Sequence, residues 1–412
     1  MRAVQFTQDL QIKENKMPKM LFVNPNAKSN TNLPNLSLAY AATHFNTKVI
    51  DLNTKPEPKN RFLEIQADVL GISTQSRTFT EAKKIEKKYR EKYPASKVVS
   101  VNTRIDIQCC YPFLKLKENM AFGKEFSDEY PFPNYELFDS FDIFLKNWQG
   151  ETWNYPIMTS VGCPFQCIYC AARNRKWSAR TAKNCFEELK QAKERWGIKT
   201  FEIIDDCFSL DKNRVIEFCE LVKPLNLKWH CVNGLRADRF DEDIAKAMAK
   251  SGCRFVGFGI ESIDQEVLVA IKKGETAEKI NQSIDIAKKY FRSVSGFFII
   301  GLPKSTYEKD LKSFRWALKK GINAHFSFYV PFDKARQFDS LFYGSDSKPI
   351  SDEYSKELQM RIYKMTEYMR SVNKRNLTNK ILTSSTNILR YDAKDFPKFF
   401  TASFKRVKSR FL

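Results

Sequence analysis

At 412 residues, with 42% hydrophobic and 14% aromatic side chains, the chain is too apolar for a disordered polyelectrolyte and long enough for two or three globular domains. Its formal charge of +21 favours anionic partners, among them nucleic acid, acidic peptide and lipid headgroups. No apolar run reaches the ~18 residues of a spanning helix, and the N-terminus lacks the apolar core of a signal peptide, so a cytoplasmic protein without a membrane span is expected.

Residues 1–105 read as a small α/β unit. A buried-type strand runs from Lys19 to Pro25, a helix from Leu36 to Phe45, and further strands cover 48–52, 68–73 and 97–101, with a charged helix from about Thr80 to Tyr93. Strands alternating with helices predict a parallel, doubly wound sheet. The aromatic, proline-bearing stretch 106–154 shows no period and is expected to be a linker. From 155 to 335 the alternation restarts, with strands expected at Ile157–Val161, Thr200–Asp205, Lys228–Val232, Phe255–Glu261, Ser295–Leu302 and Phe326–Phe332. Amphipathic helices fill the gaps, as at Ala277–Phe291 and Tyr307–Lys320, which together predict a partial (β/α)6 barrel. Residues 336–412 are expected to form a basic helical tail, and from Ser351 onward it carries 14 Lys/Arg against six Asp/Glu.

Three cysteines stand close together after the first barrel strand: Cys163, Cys167 and Cys170, in Gly162-Cys-Pro-Phe-Gln-Cys-Ile-Tyr-Cys170. This C-x3-C-x2-C loop supplies three thiolates and no fourth. Thiolates are the usual ligands of iron–sulfur clusters, and three of them leave one corner of a cubane open to a non-protein ligand. Structural zinc is the rival reading, and it normally takes two separated Cys/His pairs. The nearest downstream cysteine, Cys185, falls in a predicted helix, and no second C-x2-C pair exists. No cysteine follows Cys253, so no auxiliary cluster is expected in the C-terminal third. The remaining cysteines, Cys207 among them, stand mostly alone in apolar surroundings and read as small hydrophobes.

The loop, with Tyr169 before its last cysteine, resembles the signature of radical S-adenosylmethionine (SAM) enzymes. The resemblance continues through Phe201-Glu-Ile-Ile-Asp-Asp-Cys-Phe208, Cys231-Val-Asn-Gly-Leu-Arg236, Val256-Gly-Phe-Gly-Ile-Glu261-Ser262 and Gly296-Phe-Phe-Ile-Ile-Gly301-Leu-Pro303. It is nearest to the branch with an N-terminal cobalamin-type Rossmann domain, the BchE-like group. This resemblance implies a [4Fe-4S] cluster on Cys163, Cys167 and Cys170 whose open iron chelates SAM. It also implies an external electron donor of the flavodoxin or ferredoxin type, and a 5′-deoxyadenosyl radical that takes hydrogen from a substrate carbon. Asp205 and Asp206 are then expected near the SAM amino group, or alternatively as caps of the helix at Lys212. Arg236, Glu261 and Ser262 are expected to help hold SAM, with an internal Arg236–Glu261 ion pair as the alternative. Gly301 is expected either to let the backbone approach adenine or to serve as a plain turn. His230 and His325 fall on barrel strands as proton donors or core residues.

The N-terminal domain departs from that branch. It lacks the Asp-x-His-x-x-Gly loop, its first strand runs into Asn24-Pro-Asn-Ala-Lys-Ser-Asn30, and Val98-Val-Ser-Val-Asn-Thr103 stands where a Gly-Gly turn is expected. Weak or no cobalamin binding is therefore expected. The expected function is hydrogen abstraction by a radical SAM enzyme, with an anionic or peptide substrate such as a ribosomal precursor peptide held by the basic tail at Lys405, Arg406, Lys408 and Arg410. The alternatives are a cobalamin-dependent radical SAM methyltransferase, a protein that binds or modifies nucleic acid such as tRNA, and a zinc-stabilised binding module.

Overall fold

The structure, a computed structural model, describes residues 18–26, 33–74, 78–101, 126–170 and 172–329, with the backbone of Leu382–Thr383. The basic tail otherwise lies outside the described residues. Two compact units are formed, one from Met1–Ile157 with Ser178–Phe201, the other from Met158–Trp177 with Glu202–Leu412. The return of Ser178–Phe201 to the first unit is not visible in the β/α alternation of the sequence.

The first unit opens with β1 (Met20–Asn24), α1 (Leu36–Phe45), β2 (Val49–Asp51), β3 (Val69–Ser73), α2 (Phe79–Lys92) and β4 (Lys97–Val101). The four strands are parallel in the order β2-β1-β3-β4. Their apolar runs are buried on both faces, as parallel sheets require, and Leu21, Val23, Leu70, Ile72, Ile85 and Val98 share one core. Helix α1 keeps its expected bounds because both ends are chemically marked. The Asn35 side chain accepts the Leu38 N–H at 3.2 Å, and Asn46 takes the left-handed conformation (φ 46°) that ends the helix.

The strand order reverses between β1 and β3, the position where open α/β sheets take their ligands beyond the strand C-termini. Small polar residues gather there. Asn35 Nδ2 donates to Asn24 Oδ1 (3.1 Å) and to Ser73 Oγ (2.7 Å), and Thr74 is hydrogen-bonded to Ser100.

The expected linker contains regular structure. A 3₁₀ turn at Tyr135–Leu137 precedes α3 (Phe141–Gln149), and the buried Tyr135 ring lies 5.2 Å from Trp148, 5.6 Å from Tyr155 and 5.8 Å from Trp196. Edge-to-face packing of large rings orders a short segment whose polar residues hide its period.

There follow β5 (Tyr155–Ile157), the two-residue strands β6 (Ser160–Val161) and β7 (Ser178–Ala179), and α4 (Ala182–Trp196). The expected strand Ile157–Val161 is interrupted at Met158–Thr159, because the Thr159 N–H is given to the Asp205 carboxylate at 2.6 Å instead of a neighbouring strand.

Next come β8 (Thr200–Ile203), α5 (Lys212–Val222), β9 (Lys228–Leu235), α6 (Glu242–Lys250), β10 (Cys253–Glu261), α7 (Gln265–Ala270), α8 (Ala277–Tyr290), β11 (Ser293–Ile300), α9 (Tyr307–Lys320), β12 (Asn323–Phe328) and β13 (Leu382–Thr383). The strands form one sheet in the order β13-β12-β11-β10-β9-β8-β5, with parallel pairing from β9 through β13. Six successive strands in order, with helices between them, make the expected partial (β/α)6 barrel. Strand β12 begins three residues before Phe326, since Asn323 and Ala324 already pair with Ser295 and Gly296.

Burial alternates along the last strands. On β11, Val294, Phe298 and Ile300 are buried while Ser293, Phe297 and Ile299 are half-buried, and on β12 Ala324 and Phe326 are buried while His325 and Ser327 are half-buried. Phe298 and Phe326 stack at 4.9 Å, and Phe314 of α9 lies 5.7 Å from Phe326. The helices therefore cover the first set, and the half-buried set forms the inner face of the barrel.

Candidate cluster and cofactor site

The cysteine loop is fixed by its backbone. Cys163 C=O accepts from Arg175 N–H (2.9 Å), Phe165 C=O from Asn174 (2.8 Å), Cys167 C=O from Cys170 (3.1 Å), and the Ile168 N–H donates to Ile271 C=O (3.1 Å). The loop is entered through Gly162, whose φ of +86° favours glycine and whose hypothetical Cβ would lie 2.1 Å from the Lys176 carbonyl oxygen. Gly162→Ala is expected to cost about 1–3 kcal/mol through backbone strain. A fall in melting temperature together with reduced iron loading would register it, and a parental value for both would refute the account.

The three thiols differ in setting. Cys167 is buried, while Cys163 and Cys170 are half-buried. A contact with the Cys207 thiol, opposed by burial, brings the Cys163 thiol down to about 7, whereas burial pushes Cys170 up to about 11. Cys207 itself is raised, first by donating to Cys163 and then by burial. Among the described residues no three Cys, His, Asp or Glu side chains surround a single point as ligands of one ion would. A cubane, by contrast, takes each thiolate on a different iron, so three separated thiols on a fixed loop fit a [4Fe-4S] cluster.

The carboxylates after β8 are spoken for. Asp205 is buried and accepts from the Thr159 N–H (2.6 Å), Thr159 Oγ1 (2.5 Å) and Ser160 Oγ (2.7 Å), and burial raises its pKa despite these partners. Asp206 accepts the Gly162 N–H at 3.1 Å and so holds the entrance of the cysteine loop. Neither caps the following helix, because Asp211 does so by accepting the Arg214 N–H at 3.1 Å.

Tyr169 and Glu261 meet in a buried network. The Tyr169 hydroxyl donates to Glu261 Oε1 at 3.1 Å, and Lys273 Nζ donates to both, at 3.2 and 3.4 Å. Glu261 has φ +65°, an unusual backbone for a non-glycine residue, at a register shift between β10 and β11. Such strain at a strand end is typical of functional positions. Ser262 Oγ accepts the Asp264 N–H at 3.1 Å. The Gly301 N–H donates to Asp310 Oδ2 at 3.4 Å, with φ +81° in the turn after β11.

Arg236 does not pair with Glu261. Its Nε lies 2.9 Å from Asp238 Oδ1 and 3.8 Å from Glu275 Oε1, while Glu261 pairs with Lys273. Asp238, Lys273, Glu275, Phe165 and Cys207 are thus site residues that sequence reasoning missed. Lys273-Gly274-Glu275 reads as a solvated turn, and nothing in its composition signals burial.

His230 and His325 lie on the inner face, His230 at 6.0 Å from the Phe255 ring and His325 at 5.4 Å from Phe297. Burial lowers the pKa of each, so both are neutral at neutral pH.

Three thiols on a loop at the mouth of a partial parallel barrel, beside a buried carboxylate network, would fit a three-ligand iron–sulfur cluster. Residues 157–330 match the family model of the radical SAM superfamily. The match implies a [4Fe-4S] cluster and SAM as the cofactors of this region. An uncharacterized methyltransferase of Pyrococcus horikoshii is 32% identical over 52% of this chain and 46% of its own length. Cytidylyl-2-hydroxyethylphosphonate methyltransferase of Streptomyces wedmorensis is 31% identical over 43% of this chain and 35% of its own. The match thus spans about half or less of the length of these relatives. The solved radical SAM methyltransferase TsrM of Kitasatospora setae, with cobalamin and a [4Fe-4S] cluster bound, shares the fold (TM-score 0.62, 15% identity, 82% of this chain and 78% of that one). No helix among the described residues is long and apolar enough to cross a membrane.

Proposed function

We propose that the chain is a cobalamin-dependent radical SAM methyltransferase, the alternative among the expectations above. The observation that carries this reading is the pairing, in one chain, of a radical SAM domain whose relatives are named for methyl transfer with a parallel α/β unit of order β2-β1-β3-β4. The expectation of a ribosomal peptide substrate draws no support from those relatives.

Bound together, the cluster, SAM and a corrinoid supply an electron, hydrogen abstraction and a methyl group. Cys163, Cys167 and Cys170 hold the iron. Tyr169, Glu261, Ser262 and Gly301 would hold SAM, while Asp205 and Asp206 fix the loop that carries the cysteines. In the first unit Asn24, Ser73, Thr74 and Ser100 supply the small polar floor on which a corrinoid would rest. Its only described histidine, His44, sits in the last turn of α1 and is remote from that floor in sequence, so no protein imidazole is assigned to the metal. The inner barrel face offers the substrate rings and neutral imidazoles from Phe255, Phe297, His230 and His325.

Reconstitution with hydroxocobalamin tests the reading. After anaerobic loading and gel filtration, roughly one corrinoid per chain is expected beside about four irons. Full iron with no retained corrinoid would sink methyl transfer from cobalamin and return the chain to hydrogen abstraction alone.

A further inference from the structure

Arg236 is held on every side but one. Its Nε donates to Asp238 Oδ1 (2.9 Å), and its Nη2 donates to Asp238 Oδ2 (3.2 Å) and to the Lys273 carbonyl (3.0 Å). The ring of Phe165, a residue of the cysteine loop itself, lies 3.4 Å from the guanidinium carbon. The remaining nitrogen, Nη1, approaches Cys167 Sγ at 3.9 Å. The side chain is only 7% exposed, and burial works against its charge, but Asp238 and Glu275 outweigh that and keep it cationic.

A guanidinium has five N–H donors in a rigid plane and does not lose its proton in proteins. Here the carboxylate, the carbonyl and the ring fix that plane, so one N–H is aimed at sulfur whatever the pH.

We propose that Arg236 is a positioning residue for the cluster: it donates Nη1–H to the Cys167 sulfur and thereby raises the reduction potential of the [4Fe-4S] cluster bound there. The inference rests on the radical SAM reading and assigns Arg236 to the iron rather than to SAM. Hydrogen bonds to ligand sulfurs, local charge and solvent exposure set iron–sulfur potentials. A donor and a fixed positive charge beside a thiolate stabilise the reduced cluster, which carries one more electron, more than the oxidised one. The effect is large where water is excluded, because the local dielectric is low. The same guanidinium ties three chain segments together: the loop after β9, the turn at Lys273 and the cysteine loop through Phe165. Its orientation is therefore set before any cofactor arrives.

The test is a potentiometric titration followed by electron paramagnetic resonance on the full chain, reconstituted anaerobically without SAM. Arg236→Gln keeps hydrogen-bonding capacity for Asp238 and removes the charge. Arg236→Lys keeps the charge but cannot reach Asp238, the Lys273 carbonyl and Cys167 at once. With iron content matched to the parent, the midpoint potential is expected to fall in both variants, further in Arg236→Gln. A loaded Arg236→Gln variant with the parental potential overturns the proposal. If that variant does not load, Arg236→Lys decides, and an unshifted potential in it overturns the proposal equally. A parent chain that holds no iron would instead strike the radical SAM reading itself.

Discussion

Replacing Cys163, Cys167 and Cys170 together by alanine is expected to reduce about four irons per reconstituted chain to none, and to abolish reductive cleavage of SAM with them. Each thiol is needed because each takes a separate iron, and the fixed loop places no substitute ligand in its register. Among the described residues Cys207 is a sulfur outside the loop that touches Cys163. Cys207→Ser separates the roles: it should load the parental amount of iron, since Cys207 lies outside the loop and is engaged as a donor to Cys163. Iron content measured by colorimetry and 5′-deoxyadenosine measured by chromatography decide both variants. A triple variant that still formed 5′-deoxyadenosine would remove the cluster from this loop. Loss of iron in Cys207→Ser alone would make it a fourth ligand and close the corner that SAM needs.

The cysteine loop was legible because its chemistry lies in local spacing, and the same holds for helix α1 and the central strands. Asn35 and Asn46 mark the ends of α1 by side-chain capping and a left-handed backbone, both of which are sequence-local. What could not be read was what distant segments do to one another. Lys273 and Glu275 flank Gly274 (φ +71°) and look like a hydrated turn, yet Lys273 is 4% exposed and meets Tyr169, 104 residues earlier in the chain. The Arg236–Glu261 ion pair, the alternative to a SAM contact, does not form: Arg236 pairs with Asp238 and Glu275, while Glu261 pairs with Lys273. Strand bounds failed where a side chain competes for the ladder, as the Asp205 carboxylate does at Thr159. Charge pairing and backbone diversion belong to the tertiary fold, and one-dimensional periodicity does not carry them.

Lys273→Met is expected to destabilise the second unit by about 3–5 kcal/mol, the usual cost of removing one partner from a buried ion pair. Lys273 Nζ lies 3.4 Å from Glu261 and 3.6 Å from Glu275, all three buried. Burial by itself would lower the lysine pKa, but Glu275 and Glu261 outweigh it and hold it raised, so the ammonium is charged throughout the neutral range. Methionine keeps the length and apolar stem but removes the cation that the buried Glu261 and Glu275 share, leaving Glu275 with Arg236 alone at 3.8 Å. In a unit of this size the loss corresponds to roughly ten degrees in melting temperature. Glu275→Gln in the Lys273→Met background should recover part of it, because it removes one of the stranded charges without changing shape. The pH dependence gives a second check. Burial raises the Glu275 pKa already in the parent, and removing the cation raises it further. A carboxyl with a raised folded-state pKa favours the folded state at low pH, and that advantage is lost as pH rises through the raised value. The melting deficit of Lys273→Met is therefore expected to be largest at pH 8 and to shrink towards pH 5. Equal deficits at the two pH values, or no rescue by Glu275→Gln, would show that Lys273 acts through packing of its alkyl stem and that the charge network beside the cysteine loop does not hold this part of the barrel together.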